Sequence, residues 1–156
     1  MLFSGGQTLG EVEFDVRGMV QLSAQARVPG DPAYPDRVEG IPVGQHGRRL
    51  HFLHAAIGIE EPGAVIGRYV VHTADGGRSE LPIRYGQEVV DWIADPLPAP
   101  APLVVAWTGA SRMYPVLRLF RTTWENPAPE IEVTRIDFLS APTRAAPFLV
   151  AITVEP

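Results

Sequence analysis

AVIGRYVVHTADGGRSELPIRY, residues Ala64 to Tyr85, decides the fold class. Two runs rich in β-branched and aromatic residues, Ala64 to Thr73 and Arg78 to Tyr85, flank Ala74, Asp75, Gly76 and Gly77. Asp-Gly is a strong hairpin signal because the tight turn needs positive φ, which glycine adopts without steric cost. Pro82 has no N–H to donate to a ladder, so the second strand is expected at a sheet edge or at an irregularity.

The same grammar extends outward. Upstream, Arg49 to Ala56 places Leu50, Phe52 and His54 on one face and His51, Leu53 and Ala55 on the other, and Arg37 to Val43 reads as a further strand. From Gly10 to Leu22, Val12, Phe14, Val16, Val20 and Leu22 alternate with mostly polar residues, and Gly18 marks a bend that lets this strand turn between sheets. Ala26 to Asp36, with three prolines, reads as a loop. Downstream, Gln87 to Ile93 fits one helical turn or a short strand, and Asp95 to Pro102 carries four prolines and forms a stiff crossover. Leu103 to Thr108, Val116 to Trp124, Ile131 to Leu139 and Phe148 to Val154 complete a count of nine or ten strands without an amphipathic helix. The expectation is an all-β, antiparallel β-sandwich. Long crossovers beside one tight hairpin favour Greek-key or jelly-roll connections over an up-and-down barrel, and the α/β nucleotide-binding folds are excluded.

With 156 residues, one domain spanning 1–156 is expected, residues 1–9 serving as a disordered lead-in. No apolar run approaches the roughly 18 residues of a membrane helix, so no membrane insertion is expected. No basic segment followed by an apolar stretch opens the chain, so no signal peptide is read, and location is left open, with an extracytoplasmic one if the domain belongs to a secreted parent. There is no cysteine, which removes disulfides, thiolate metal sites and cysteine nucleophiles. All 13 basic residues are arginines, scattered through a chain of net charge −5, whereas nucleic-acid binding needs a concentrated basic patch. Nucleic acid is not an expected partner.

His46, His51, His54 and His72 raise the question of a metal, but His51 and His54 point to opposite faces of one strand and cannot share an ion. Asp75, Asp91, Asp95 and Glu125 lie near loops, where an acid/base pair or a structural calcium would sit, yet no ligand spacing marks either. No Gly-x-Ser-x-Gly, Walker-type or dinucleotide motif is present. The aromatics carry more information. Trp92, Trp107 and Trp124 each end an apolar run and precede turn residues. A tryptophan so placed either closes the end of the core or offers a flat face to a sugar ring. With Tyr85 added, at least one exposed ring is expected, and Arg84, Asp91 and Asn126 lie beside these rings as planar polar groups able to fix sugar hydroxyls. Asn126 and Pro127 equally suit a structural corner.

The succession LHFLHA (50 to 55), YVVHTADG (69 to 76), LPIRYG (81 to 86), DW (91 and 92), AWTG (106 to 109), TTWENP (122 to 127) and APFLVAITVE (146 to 155) resembles a bacterial β-sandwich domain of the galactose-binding-like fold. That fold is shared by many carbohydrate-binding modules. The resemblance covers most of the chain from about Met19 and implies a non-catalytic accessory module that binds an oligo- or polysaccharide weakly. It brings no established binding residue with it. Two other readings stand beside it: an interaction module that meets other domains of a parent protein or a second copy of itself, and a small hydrolase or metal enzyme.

Overall fold

The structure is a computed structural model that describes residues 5–9, 11–16, 18–24, 34–98 and 102–156. Among these residues eleven strands occur: β1 (Gly5–Leu9), β2 (Val12–Val16), β3 (Val20–Gln21), β4 (Arg37–Gln45), β5 (Arg49–Ile57), β6 (Val65–Thr73), β7 (Arg78–Arg84), β8 (Val105–Gly109), β9 (Leu117–Glu125), β10 (Val133–Ser140) and β11 (Ala146–Glu155). They form a four-stranded sheet in the order β4-β10-β6-β7, a five-stranded sheet in the order β3-β11-β5-β9-β8, and a separate β1-β2 ribbon. Every strand pair is antiparallel. The all-β sandwich is therefore as read from the sequence. Among the described residues no helix is long and apolar enough to cross a membrane.

Aromatic stacking joins the two sheets. Phe52 of β5 stacks on Tyr69 of β6 at 4.2 Å between centroids, and Tyr69 stacks on Phe138 of β10 at 5.0 Å. Leu50, Phe52 and His54 face this interior by the period-2 rule, and Leu53 and Ala55 face the other way. Yet Leu53 and Ala55 are also completely buried. The outer face of the five-stranded sheet is covered in two places. Near Arg49 the ribbon lies over it, with Thr153 Oγ1 of β11 donating to the Glu13 carbonyl of β2 at 2.6 Å. Near Ile57, Trp92 meets Phe148 edge-on at 5.4 Å and 82°, and Phe148 stands opposite Ala55 in the ladder. This double cover explains why β5, RLHFLHAAI, is buried along nearly its whole length.

The hairpin at 74–77 forms as expected. Gly76 takes φ 86°, and Asp75 Oδ1 accepts the Gly77 N–H at 2.9 Å and the Thr73 hydroxyl at 2.6 Å. Pro82 lies on β7, an edge strand, opposite Arg68. Other boundaries differ from the reading. The run from Gly10 to Leu22 holds two strands, β2 paired with β1 and β3 paired with β11. Residues 5–9, read as a lead-in, are the strand β1. These two changes raise the strand count to eleven. The segment 87–93 is neither helix nor strand but a set of turns with isolated bridges, Tyr85 to Val89 and Ala56 to Asp91. Most of the loop read at 26–36, and part of the crossover at 95–102, lie outside the described residues.

Candidate functional site

The seven residues singled out by local chemistry do not converge. Asp91 bridges Ala56 and the Trp92 N–H donates to the Ala56 carbonyl at 2.9 Å, whereas Trp124 stands opposite Leu50. Leu50 and Ala56 are six residues apart on β5, so these groups are separated by about 20 Å at roughly 3.3 Å per residue. All three indoles are half-buried and pack against the core. Trp107 lies over Gly109, where an added Cβ would meet its six-membered ring.

The polar members serve the fold. The Asp91 N–H donates to Tyr85 Oη at 3.2 Å. Burial pushes the Asp91 carboxyl above its usual range, opposed by N–H groups of Ile93 and Gly58. Asn126 is the structural corner: its Nδ2 donates to the Gly47 carbonyl at 2.8 Å and its Oδ1 accepts the Ala128 N–H at 3.0 Å. The four loop carboxylates are held apart from one another. Asp75 caps the hairpin, Asp91 is buried, Asp95 pairs with Arg118 at 3.1 Å, and Glu125 pairs with Arg49 at 2.6 Å. No cluster of three His, Asp or Glu side chains that could hold a metal ion exists among the described residues.

The histidines do something the sequence reading did not foresee. His51 and His54 do point to opposite faces, and each is tied to one of two adjacent threonines on β9. In the interior, His54 Nδ1 is 2.7 Å from Tyr69 Oη and Nε2 is 2.8 Å from Thr122 Oγ1. Complete burial lowers the His54 pKa to about 3, so the ring is neutral and each nitrogen has a partner able to match either tautomer. On the outer face, His51 Nδ1 is 2.8 Å from Thr123 Oγ1 and Nε2 is 2.7 Å from Glu155 Oε2. Arg49 extends this network, reaching Glu155 Oε1 at 2.9 Å and Glu125 Oε1 at 2.6 Å. Hydroxyl, imidazole and carboxylate in this order also occur in nucleophilic hydrolases. Here they lie across β9, β5 and β11, and each bond laces one strand to the next.

Thr122 and Thr123 matter further because β9 is exposed beside them. The β8–β9 ladder ends at Val105 opposite Phe120, and beyond it the Arg121 N–H donates to the Val104 carbonyl at 2.8 Å. A cleft of about 390 Å³ opens there, walled by Arg121, Thr122 and Thr123 on one side and by Arg84, Gln87 and Glu88 on the other, with Pro102 and Val104 at its margin. A second concavity of about 390 Å³, containing Tyr85 and Gly63, shares Gln87 and Pro102 with the first. The two adjoin along the β7 side of the sandwich. Glu88 fixes Arg84 within the first, its Oε2 accepting the Arg84 backbone N–H at 2.7 Å and Nε at 3.2 Å, and its Oε1 accepting Nη2 at 2.7 Å. Of the sequence candidates, Arg84 lines the first concavity and Tyr85 the second. Arg121, Glu88 and the threonine pair were missed, although polar residues interrupting the apolar pattern of HFLH and FRTTW were a readable sign.

On the opposite side of the sandwich an apolar groove of about 500 Å³ runs between edge strand β4 and strand β11, lined by Ile41, Val43, Leu149, Ile152 and Val154, with Met19 at its rim. Comparison with protein-family models and with curated proteins returns no match for the chain.

Proposed function

We propose that this protein is a non-catalytic, carbohydrate-binding-like module of the galactose-binding-like kind, and that it holds a stretch of oligo- or polysaccharide in the β7-side groove. The carrying observation is the chemistry of that groove. The residues lining it carry guanidinium, amide, carboxylate and hydroxyl side chains, with Pro102 and Val104 offering small apolar surfaces. Sugars present the complementary set, hydroxyls that donate and accept beside apolar ring faces. Arg84 is already oriented by Glu88, which lowers the ordering cost of binding. The tryptophans act in this reading as core-closing residues.

The test is amide chemical-shift mapping of the full chain against a panel of neutral and acidic oligosaccharides. Saturable shifts at Arg84, Gln87 and Arg121 to Thr123 support the reading, and their absence across the panel refutes it. The apolar groove favours a second reading, an interaction module that meets another protein domain or a second copy of itself. Concentration-dependent mass in sedimentation, abolished by Ile41→Glu, is the outcome that reading expects.

A further inference from the structure

We infer that the β8–β9 hairpin tip of one copy of this chain seats in the apolar groove of another; this rests on the self-association reading above and is independent of the carbohydrate one. The tip, ASRMYP at 110–115, carries Met113, which at 79% is the most exposed large apolar side chain among the described residues, with Tyr114 beside it at 37%. Ile59 is nearly as exposed, but it is followed by the carboxylates of Glu60 and Glu61, which an apolar partner would strip of water. Met113 is followed by Tyr114 and Pro115. Arg112, on its other side, can lay its aliphatic stem on apolar surface while the guanidinium stays in water. That one charge of the tip is opposite in sign to the net charge of −5 of the chain it approaches. Ser111 closes the tip on itself, its N–H donating to the Tyr114 carbonyl at 2.8 Å and its Oγ accepting the Tyr114 N–H at 3.1 Å. The backbone on either side of Met113 is therefore ordered before a partner arrives, which lowers the cost of binding.

The groove offers the complementary surface. It holds about 500 Å³, and no charged residue lines it among the described residues. It lies where the five-stranded sheet is short of strand: β3 is two residues long and pairs only with Phe148 and Leu149, while β11 runs on to Glu155. Ile152 and Val154 of β11 and Ile41 and Val43 of β4 form its walls. An unbranched thioether adapts to an irregular apolar surface of this kind. The tip cannot fill the groove of its own chain. Phe52 stands opposite both Ile152 of β11 and Thr122 of β9, and Leu117, the first residue of β9, is five residues along from Thr122. That is about 16 Å along the strands, with two strand spacings, about 10 Å, across the sheet. The contact therefore joins unlike patches of two copies, and the assembly either closes as a ring, the reciprocal dimer being the smallest, or keeps growing.

The test is sedimentation of the full chain over a range of concentrations, with amide shifts followed on dilution. Mass should rise with concentration, and the shifts should appear together at Arg112 to Tyr114 and at Ile41, Val43 and Ile152. Met113→Glu spoils the tip and keeps the groove, whereas Ile41→Glu spoils the groove and keeps the tip. Met19→Glu is a second groove variant that leaves the core untouched, since Met19 is 50% exposed at the rim. Each variant alone should weaken self-association about tenfold or more, with melting temperature and circular dichroism recorded as fold controls. A mixture of the tip variant with either groove variant should associate again and stop at the dimer, because only one good tip and one good groove remain. If Met113→Glu associates like the wild type while Ile41→Glu does not, the tip assignment is overturned and the self-association reading stands. A mixture that stays monomeric also overturns it, since the two patches then do not meet. Should the wild type stay monomeric without shifts at every concentration, this inference and the self-association reading fall together.

Discussion

Lowering the pH from 7.5 to 5 should destabilise this protein through one residue, His54. The ring is completely buried between Tyr69 and Thr122, and burial depresses its pKa from 6.5 to about 3. In the unfolded chain the imidazole takes a proton below about pH 6.5; in the fold it stays neutral until about pH 3. The unfolded state therefore binds more protons throughout that window, and stability is lost as pH falls. Each pKa unit corresponds to about 1.36 kcal/mol. The 1.5 units between 6.5 and 5 thus remove about 2 kcal/mol, and the whole window about 5 kcal/mol, against a typical total of about 5–15 kcal/mol. Urea unfolding at pH 7.5, 6.5, 5.5 and 5 measures the effect. His54→Gln is the comparison: it keeps an amide to meet Tyr69 or Thr122 but cannot take a proton at these pH values, and should cost about 1–3 kcal/mol at pH 7.5. The gap between wild type and variant should then shrink by about 2 kcal/mol by pH 5. A gap that stays constant would mean that His54 protonates as easily in the fold as outside it, and the buried, neutral assignment would be wrong.

Asn126→Ala removes the partner of the buried Gly47 carbonyl and the acceptor of the Ala128 N–H; a loss of about 1–3 kcal/mol in chemical denaturation is expected. Gly109→Ala places a methyl group where the Trp107 ring lies, so the indole must move, and emission should shift to the red with increased acrylamide quenching. Phe52→Ala deletes a fully buried ring stacked on Tyr69 and should cost about 3–5 kcal/mol by denaturation. Glu60, hydrogen-bonded to the Arg144 side chain and backbone, has its pKa lowered from 4.5 to about 2; carboxyl NMR titration should find that midpoint, and Arg144→Gln should move it back towards 4.5.

Local pattern made the fold class and much of its detail legible. The Asp75-Gly76 turn, the edge position of Pro82 and the opposed faces of His51 and His54 all follow from rules acting within a few residues. The segment 87–93 was ambiguous because its conformation is imposed from outside: the Trp92 N–H donates to the Ala56 carbonyl of β5, the Val90 carbonyl accepts the Ala56 N–H, and the Asp91 N–H donates to Tyr85 Oη. The site was less legible for the same reason. Aromatic residues at loop edges announce themselves in a sequence, but the partners of Thr122 and Thr123 are 68 and 72 residues away. No spacing rule connects them. Arg84 was noticed for its neighbour Tyr85, while the cleft it shares with Arg121 lies where the β8–β9 ladder ends, at Val105 opposite Phe120.

The central strand β5 also sets a constraint in time. One neighbour in its sheet is β11, and Arg49 reaches Glu155 across 106 residues of chain. During synthesis at about 5–20 residues per second, this strand, buried along nearly its whole length in the fold, therefore waits roughly 5–20 seconds before that neighbour exists. Until then the β11-side edge of HFLHAAI is an unpaired template for any other extended chain nearby. Translation speed and chaperone access, as much as core packing, then determine how much of this protein is recovered folded, and slowing the ribosome beyond residue 57 should lower the yield.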